Sequence, residues 1–130
     1  MKLFDGIIFD VDGTLTSTNE LIFSSFNFIA EKYLGKVYTP DEIISLFGPT
    51  EDVILADLCG DRYDEARNNY YNFYEENHHM ADSYPGIKEI VSYIKSKNIP
   101  LGIFTGKGFD AACITLRKLE LINYFDLIIT

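Results

Sequence analysis

Three short apolar runs, unevenly spaced, constrain this chain more than any other feature. They are residues 3–9 (Leu-Phe-Asp-Gly-Ile-Ile-Phe), 99–104 (Ile-Pro-Leu-Gly-Ile-Phe) and 125–130 (Phe-Asp-Leu-Ile-Ile-Thr). Each has the length of a buried strand, and no apolar run approaches the ~18–20 residues that a membrane span needs. Before the second run, Pro85-Gly86 opens a segment whose Ile87, Ile90, Val91 and Ile94 share one helical face. After it, Phe109, Ala112, Cys113, Leu116 and Leu119 recur at helical spacing. Strands alternating with single helices predict an α/β fold with a parallel sheet of about three strands.

The gap between the first and second runs is the unusual part. Ile22, Phe26, Ile29 and Tyr33 predict a helix over 20–34, with Asn19 able to cap its start and Gly35 to end it. Thr39-Pro40-Asp41-Glu42 combines a Thr cap, Pro in the first turn and acids at the positive end of the dipole. A third helix starts at Thr50-Glu51-Asp52, and a fourth covers 63–79 with Ala66, Tyr70, Phe73 and Tyr74 inward. Residues 20–79 therefore read as a four-helix block inserted after the first strand. The Tyr70, Tyr71, Phe73, Tyr74 cluster reads as packing within that block, and His78-His79 as surface or hinge-adjacent residues.

Charge narrows the partners. The 130 residues carry a net charge of −9, and residues 1–83 hold 16 acidic against 5 basic side chains. Such a surface repels a phosphate backbone, so nucleic-acid binding is not expected. Asp5 and Asp10 stand where a signal peptide would have its apolar stretch, and Cys59 and Cys113 have no disulfide or metal-ligand spacing. Both cysteines read as small buried hydrophobes in a reducing cytoplasm.

Two loops carry the chemistry. Asp10-Val-Asp12-Gly13-Thr14-Leu15 follows the first run directly, where open parallel sheets bind ligands. Alternation puts Asp10 and Asp12 on one side of an extended chain, and two carboxylates that close favour a cation or a shared proton. Mg²⁺ suits such oxygens beside a phosphate. Gly13 lets the chain turn and a ligand approach the backbone, but it stands too early for a calcium-binding EF-hand loop. The second loop, Thr105-Gly106-Lys107-Gly108, offers a hydroxyl and backbone N–H groups at a helix start. It lacks the glycine spacing and the Ser or Thr after Lys of a Walker A loop. Alone, each loop also reads as an ordinary solvated turn; together, carboxylates on one and an anion cradle on the other suit phosphoryl transfer.

Phe9-Asp-Val-Asp-Gly-Thr-Leu15 resembles the first motif of the haloacid dehalogenase superfamily, especially its phosphatases, and Thr105 resembles the second motif. The helical block resembles the cap of the phosphoglycolate phosphatase and β-phosphoglucomutase branch, and Tyr84-Pro85-Gly86 its return to the core. The resemblance implies a Rossmann-like core over 1–15 and 84–130 with a helical cap over 16–83. It implies Asp10 as the nucleophile forming an aspartyl phosphate, and Asp12 as the acid and base. It implies a Mg²⁺ site at Asp10 and Asp12, and a phosphate cradle at Gly13, Thr105 and Gly106. Gly48, Pro49 and Thr50 would face the substrate, a small phosphorylated metabolite, and Thr16 to Thr18 and Ala81 to Tyr84 would be hinges.

Ser17 departs from the branch, which often has Asp there. The family's third-motif Lys and fourth-motif acids come after the third strand, where this chain stops. Lys107, inside the second-motif loop, is not expected to replace that Lys. The sequence therefore reads as the N-terminal piece of a longer enzyme, with little activity alone and an open edge at the first strand inviting self-association. A phosphosugar mutase of the same family, or a non-catalytic phosphate- or partner-binding module, are the other readings.

Overall fold

The structure, a computed structural model, describes residues 3–130. Three parallel strands, β1 (Ile7–Phe9), β2 (Leu101–Phe104) and β3 (Leu127–Ile129), form one sheet in the order β1-β2-β3. Between β1 and β2 come the helices α1 (Asn19–Ile29), α2 (Pro40–Ile44), α3 (Glu51–Cys59), α4 (Tyr63–Glu76) and α5 (Ile87–Ser96); α6 (Phe109–Lys118) joins β2 to β3.

The strands are shorter than the apolar runs. The first begins at Ile7, not Leu3, because Ile7 N–H bonds the carbonyl of Pro100, and a proline has no N–H to extend the ladder. Leu3 and Phe4 are exposed. At β3 the Asp126 carboxylate accepts the Leu101 N–H at 2.9 Å, so a side chain takes the place of a ladder bond.

Right-handed crossovers in one direction along the sheet put α5 and α6 on the same face. Ile7, Phe9, Leu101, Ile103 and Ile128 pack there against Val91 and Ile94 of α5 and Leu116 of α6. The opposite face carries Ile8, Phe104, Leu127 and Ile129, which are 72%, 64%, 58% and 45% exposed. Parallel sheets are ordinarily covered on both faces. The sequence pointed to an open edge at β1; the structure has that edge and, beside it, a bare apolar face.

The helical block forms its own core. Phe26 and Ile29 of α1, Ile54 and Leu55 of α3, and Tyr70 and Tyr74 of α4 are buried together. Phe28 and Phe73 stack with centroids 4.6 Å apart. At α2 the expected Thr39 cap forms, and the Glu42 side chain accepts the Thr39 N–H in return, completing a capping box. The expected 20–34 helix is α1 followed by a π-helical turn, Ala30–Leu34, which Gly35 ends at φ +63°. Fourteen buried residues make this cluster, and two of them, Ala111 and Ile114, belong to α6. So α6 is sandwiched between sheet and helical block.

That sandwich corrects the assignment of one inward face to α6: Ala111, Ile114 and Thr115 are buried on the block side, while Phe109 is more than half exposed. Ile90 of α5 is likewise half exposed, since Val91 and Ile94 suffice to reach the sheet. His78, expected at the surface or beside a hinge, is buried, with Nε2 3.0 Å from Thr115 Oγ1. Cys59 and Cys113 are free thiols and only partly buried.

Tyr70 is fully buried and its hydroxyl has no hydrogen-bond partner among the described residues. Replacing it with Phe is expected to stabilise the fold by about 1 kcal/mol, because an unsatisfied buried hydroxyl is a cost and the ring is kept. A urea midpoint that rises checks this; one that falls would mean the hydroxyl is paired.

Candidate active site

The parallel register aligns Phe9 with Ile103, so the residues that follow, Asp10 and Phe104-Thr105, leave the sheet at the same carboxyl edge. Asp10 turns its carboxylate back on its own loop, with Oδ1 accepting the Val11 N–H at 2.7 Å. Val11 and Leu15 are buried and anchor the loop from below. Gly13, at φ +77°, closes the turn, and its N–H bonds Thr16 O at 2.8 Å. That N–H is therefore committed to the loop, and the contribution of Gly13 is its backbone conformation.

Asp12 is held at both carboxylate oxygens. Its Oδ1 accepts the Thr18 hydroxyl, and its Oδ2 lies 3.2 Å from Lys107 Nζ. Thr18 gives up the side-chain cap it could make on α1 to do this. Across the loop, Thr16 bridges Ser83 and its hydroxyl donates to the Asp82 carbonyl, while Tyr84 N–H bonds Leu15 O. The two chain crossings between helical block and sheet thus lie side by side.

Thr105 is buried, and its Oγ1 accepts the Lys107 N–H at 3.1 Å, which leaves the hydroxyl proton to donate. The Lys107 side chain is wholly buried against Asp12, Glu51 and the Tyr74 ring, whose centroid is 5.0 Å from Nζ. Burial opposes its charge; Tyr74, Asp12 and Glu51 favour it, and the balance lies above the ordinary lysine range. The sequence reading set Lys107 aside by motif position, whereas its ammonium sits beside Asp12. Glu51 is the other residue missed. From the start of α3 it reaches Gly108 N–H, with Oε2 at 2.8 Å, and its Oε1 lies 3.6 Å from Lys107 Nζ. On sequence it looks like an acid favouring its own helix dipole.

A cavity of about 290 Å³ opens between the two parts. Ile22, Phe26, Phe47 and Ile54 give it apolar walls, Gly48 and Pro49 line its rim, and Asp12, Glu51, Gly106 and Lys107 close its floor. Thr50, the N-cap residue of α3, stands beside Gly108: a Cβ there would lie 3.6 Å from Thr50 Cβ and 2.7 Å from Glu51 Oε2. No group of three or more His, Cys, Asp or Glu residues gathers among the described residues. What the loop offers a cation is hard oxygen: the Asp10 carboxylate and backbone carbonyls. Mg²⁺ accepts one or two carboxylates, keeping water and substrate phosphate as its other ligands. The donor set fits on that basis. Among the described residues no helix is long and apolar enough to cross a membrane.

Comparison with known proteins places these features in context. The family described as haloacid dehalogenase-like hydrolase matches residues 7–130. Pyrophosphatase PpaX of Bacillus mycoides is 29% identical over 125 residues, 95% of this chain and 58% of its own. A Thermotoga maritima protein provisionally assigned as a β-phosphoglucomutase superposes with TM-score 0.67 at 29% identity, over 97% of this chain and 61% of its own. A predicted phosphoglycolate phosphatase from Haemophilus somnus superposes with TM-score 0.80 at 20% identity, over 99% of this chain and 63% of its own. This chain thus spans about six-tenths of the length of the proteins it matches.

Proposed function

Because this chain belongs to the haloacid dehalogenase-like hydrolase family, we propose that it carries the nucleophile and phosphate cradle of a phosphatase acting on a small phosphorylated metabolite. The supporting observation is that Asp10 and Thr105 directly follow adjacent parallel strands, with Lys107 Nζ beside Asp12 in the same pair of loops. Asp10 attacks phosphorus, forming an O–P bond as the bond to the leaving oxygen breaks. Asp12 gives that oxygen a proton, then takes one from the water that releases phosphate from the aspartyl phosphate. Thr18 and Lys107 hold the Asp12 carboxylate for both steps. The Thr105 hydroxyl and Gly106 N–H hold a phosphoryl oxygen, with Gly13 shaping the turn beneath. Mg²⁺, when held by the Asp10 carboxylate and the Asp12 carbonyl, offsets the charge on the phosphoryl oxygens.

In this reading residues 1–15 and 84–130 are the core and 16–83 the cap, with Thr16–Thr18 and Ala81–Tyr84 as paired hinges. Gly48, Pro49 and Thr50 belong to the substrate-facing rim of the cap. The protein works in the reducing cytoplasm and does not bind nucleic acid. A phosphosugar mutase uses the same intermediate, and the β-phosphoglucomutase-like structure favours keeping it as the second reading. Phosphate appearing on a sugar instead of in solution would select it.

The 130-residue chain is expected to bind inorganic phosphate in a Mg²⁺-dependent way, perturbing the Thr105 and Gly106 amide resonances. Thr105→Ala should weaken binding about tenfold, the worth of a hydrogen bond to a charged oxygen, and Thr105→Ser should restore it. Perturbations that ignore Mg²⁺ and map away from β1 and β2 would refute the site. On the same proposal, self-association moves from the β1 edge to the bare sheet face. The chain should associate with rising concentration in light scattering, and Ile8→Lys with Leu127→Lys should leave it monomeric. Association unchanged by these charges would locate it elsewhere.

A further inference from the structure

A phosphate site of this kind accepts one anionic group; what stands beyond it decides whether a second is welcome. Two donors lie beside Glu51 at the cavity: the Lys107 ammonium and the Gly108 N–H at the amino end of α6. Glu51 engages both, with Oε2 2.8 Å from Gly108 N and Oε1 3.6 Å from Lys107 Nζ. Glu51 is itself buried, and the side chains of Ile22, Phe26, Phe47 and Ile54 have no donor to offer. A second phosphate or carboxylate would meet Glu51 and Asp12, two carboxylates sharing one ammonium. Expelling Glu51 to make room would strip the buried Gly108 N–H of its partner and leave Lys107 with Asp12 alone.

We propose that the cavity receives the uncharged, largely apolar alcohol of a phosphate monoester, and that Glu51 is the residue that excludes substrates with a second anionic group. Apolar walls reward a matching leaving group only modestly, whereas an occupied pair of donors rejects a competing anion strongly. The inference rests on the phosphatase reading of Asp10 and Thr105. It separates this chain from a relative whose name specifies pyrophosphate, where the leaving group is itself an anion.

The test is calorimetric titration of the chain, with Mg²⁺ in excess, using methylphosphonate, benzylphosphonate and methylenediphosphonate. Benzylphosphonate should bind about tenfold more tightly than methylphosphonate, and methylenediphosphonate no more tightly than methylphosphonate. Glu51→Gln keeps the shape and removes the charge. It should raise methylenediphosphonate affinity about tenfold relative to benzylphosphonate. Should that variant fail to fold, Phe47→Lys, at a half-exposed position lining the cavity, should bring the same gain for the diphosphonate by adding a cation. Methylenediphosphonate outbinding benzylphosphonate in the unaltered chain would overturn the inference and leave the phosphatase reading standing. Failure of all three probes and of inorganic phosphate to bind would overturn both.

Discussion

Asp10→Asn is expected to abolish phosphoryl transfer, by about four orders of magnitude or more, in any form of the protein that turns over p-nitrophenyl phosphate. Losses of that size accompany removal of a covalent nucleophile. The substitution is chosen because it should leave the fold alone. Asp10 is exposed, and the oxygen that accepts the Val11 N–H at 2.7 Å is kept by an amide. The carboxamide lacks only the nucleophilic oxygen and the charge that a cation would meet. Unchanged circular dichroism with lost turnover is the expected pair of results. A loss of tenfold or less would make Asp10 a bystander and shift the chemistry to Asp12.

Lys107→Met is expected to have the largest effect on stability, about 3 kcal/mol, near the lower end of the cost of breaking a buried ion pair. The figure is held down because Asp12 keeps a third of its side-chain surface in water, while Glu51 keeps a tenth. Removing the ammonium leaves both carboxylates facing each other across the joint between helical block and α6. Domains are stable by only ~5–15 kcal/mol, so the urea midpoint should fall visibly. Adding Glu51→Gln should recover part of the loss, since it removes one of the two stranded charges. Additive effects of the two substitutions would mean that they do not interact.

The parts of the fold that depend on local pattern were legible. The Thr39 cap, the arrest at Gly35 and the burial of Tyr70 and Tyr74 follow from residues within a few positions of one another. So does the placement of Asp10 and Thr105, because each ends an apolar run and parallel strands bring their carboxyl ends together. What was not legible depends on how distant pieces dock. Glu51 and Gly108 are 57 positions apart, and nothing in Thr-Glu-Asp says that the first acid will leave its own helix to cap another. The inward Lys107 has the same origin: its burial is made by Tyr74 and Glu51, both from the helical block. The two-sided burial of α6, which exposes Phe109 while hiding Thr115, is again a consequence of docking. The bare sheet face is different in kind. Two crossovers of one hand stepping the same way must share a face, so the order of strands alone implied it.

A covalent intermediate at Asp10 is the step on which the proposed chemistry depends, and trapping it is the most direct test. The protein would be exposed briefly to acetyl phosphate with Mg²⁺, reduced with borohydride, and mapped by peptide mass spectrometry, since reduction of an aspartyl phosphate leaves homoserine at the modified position. The account predicts homoserine at position 10, dependent on Mg²⁺ and absent from Asp10→Asn. Homoserine at position 12 instead, or turnover that persists with no modified aspartate, would contradict it.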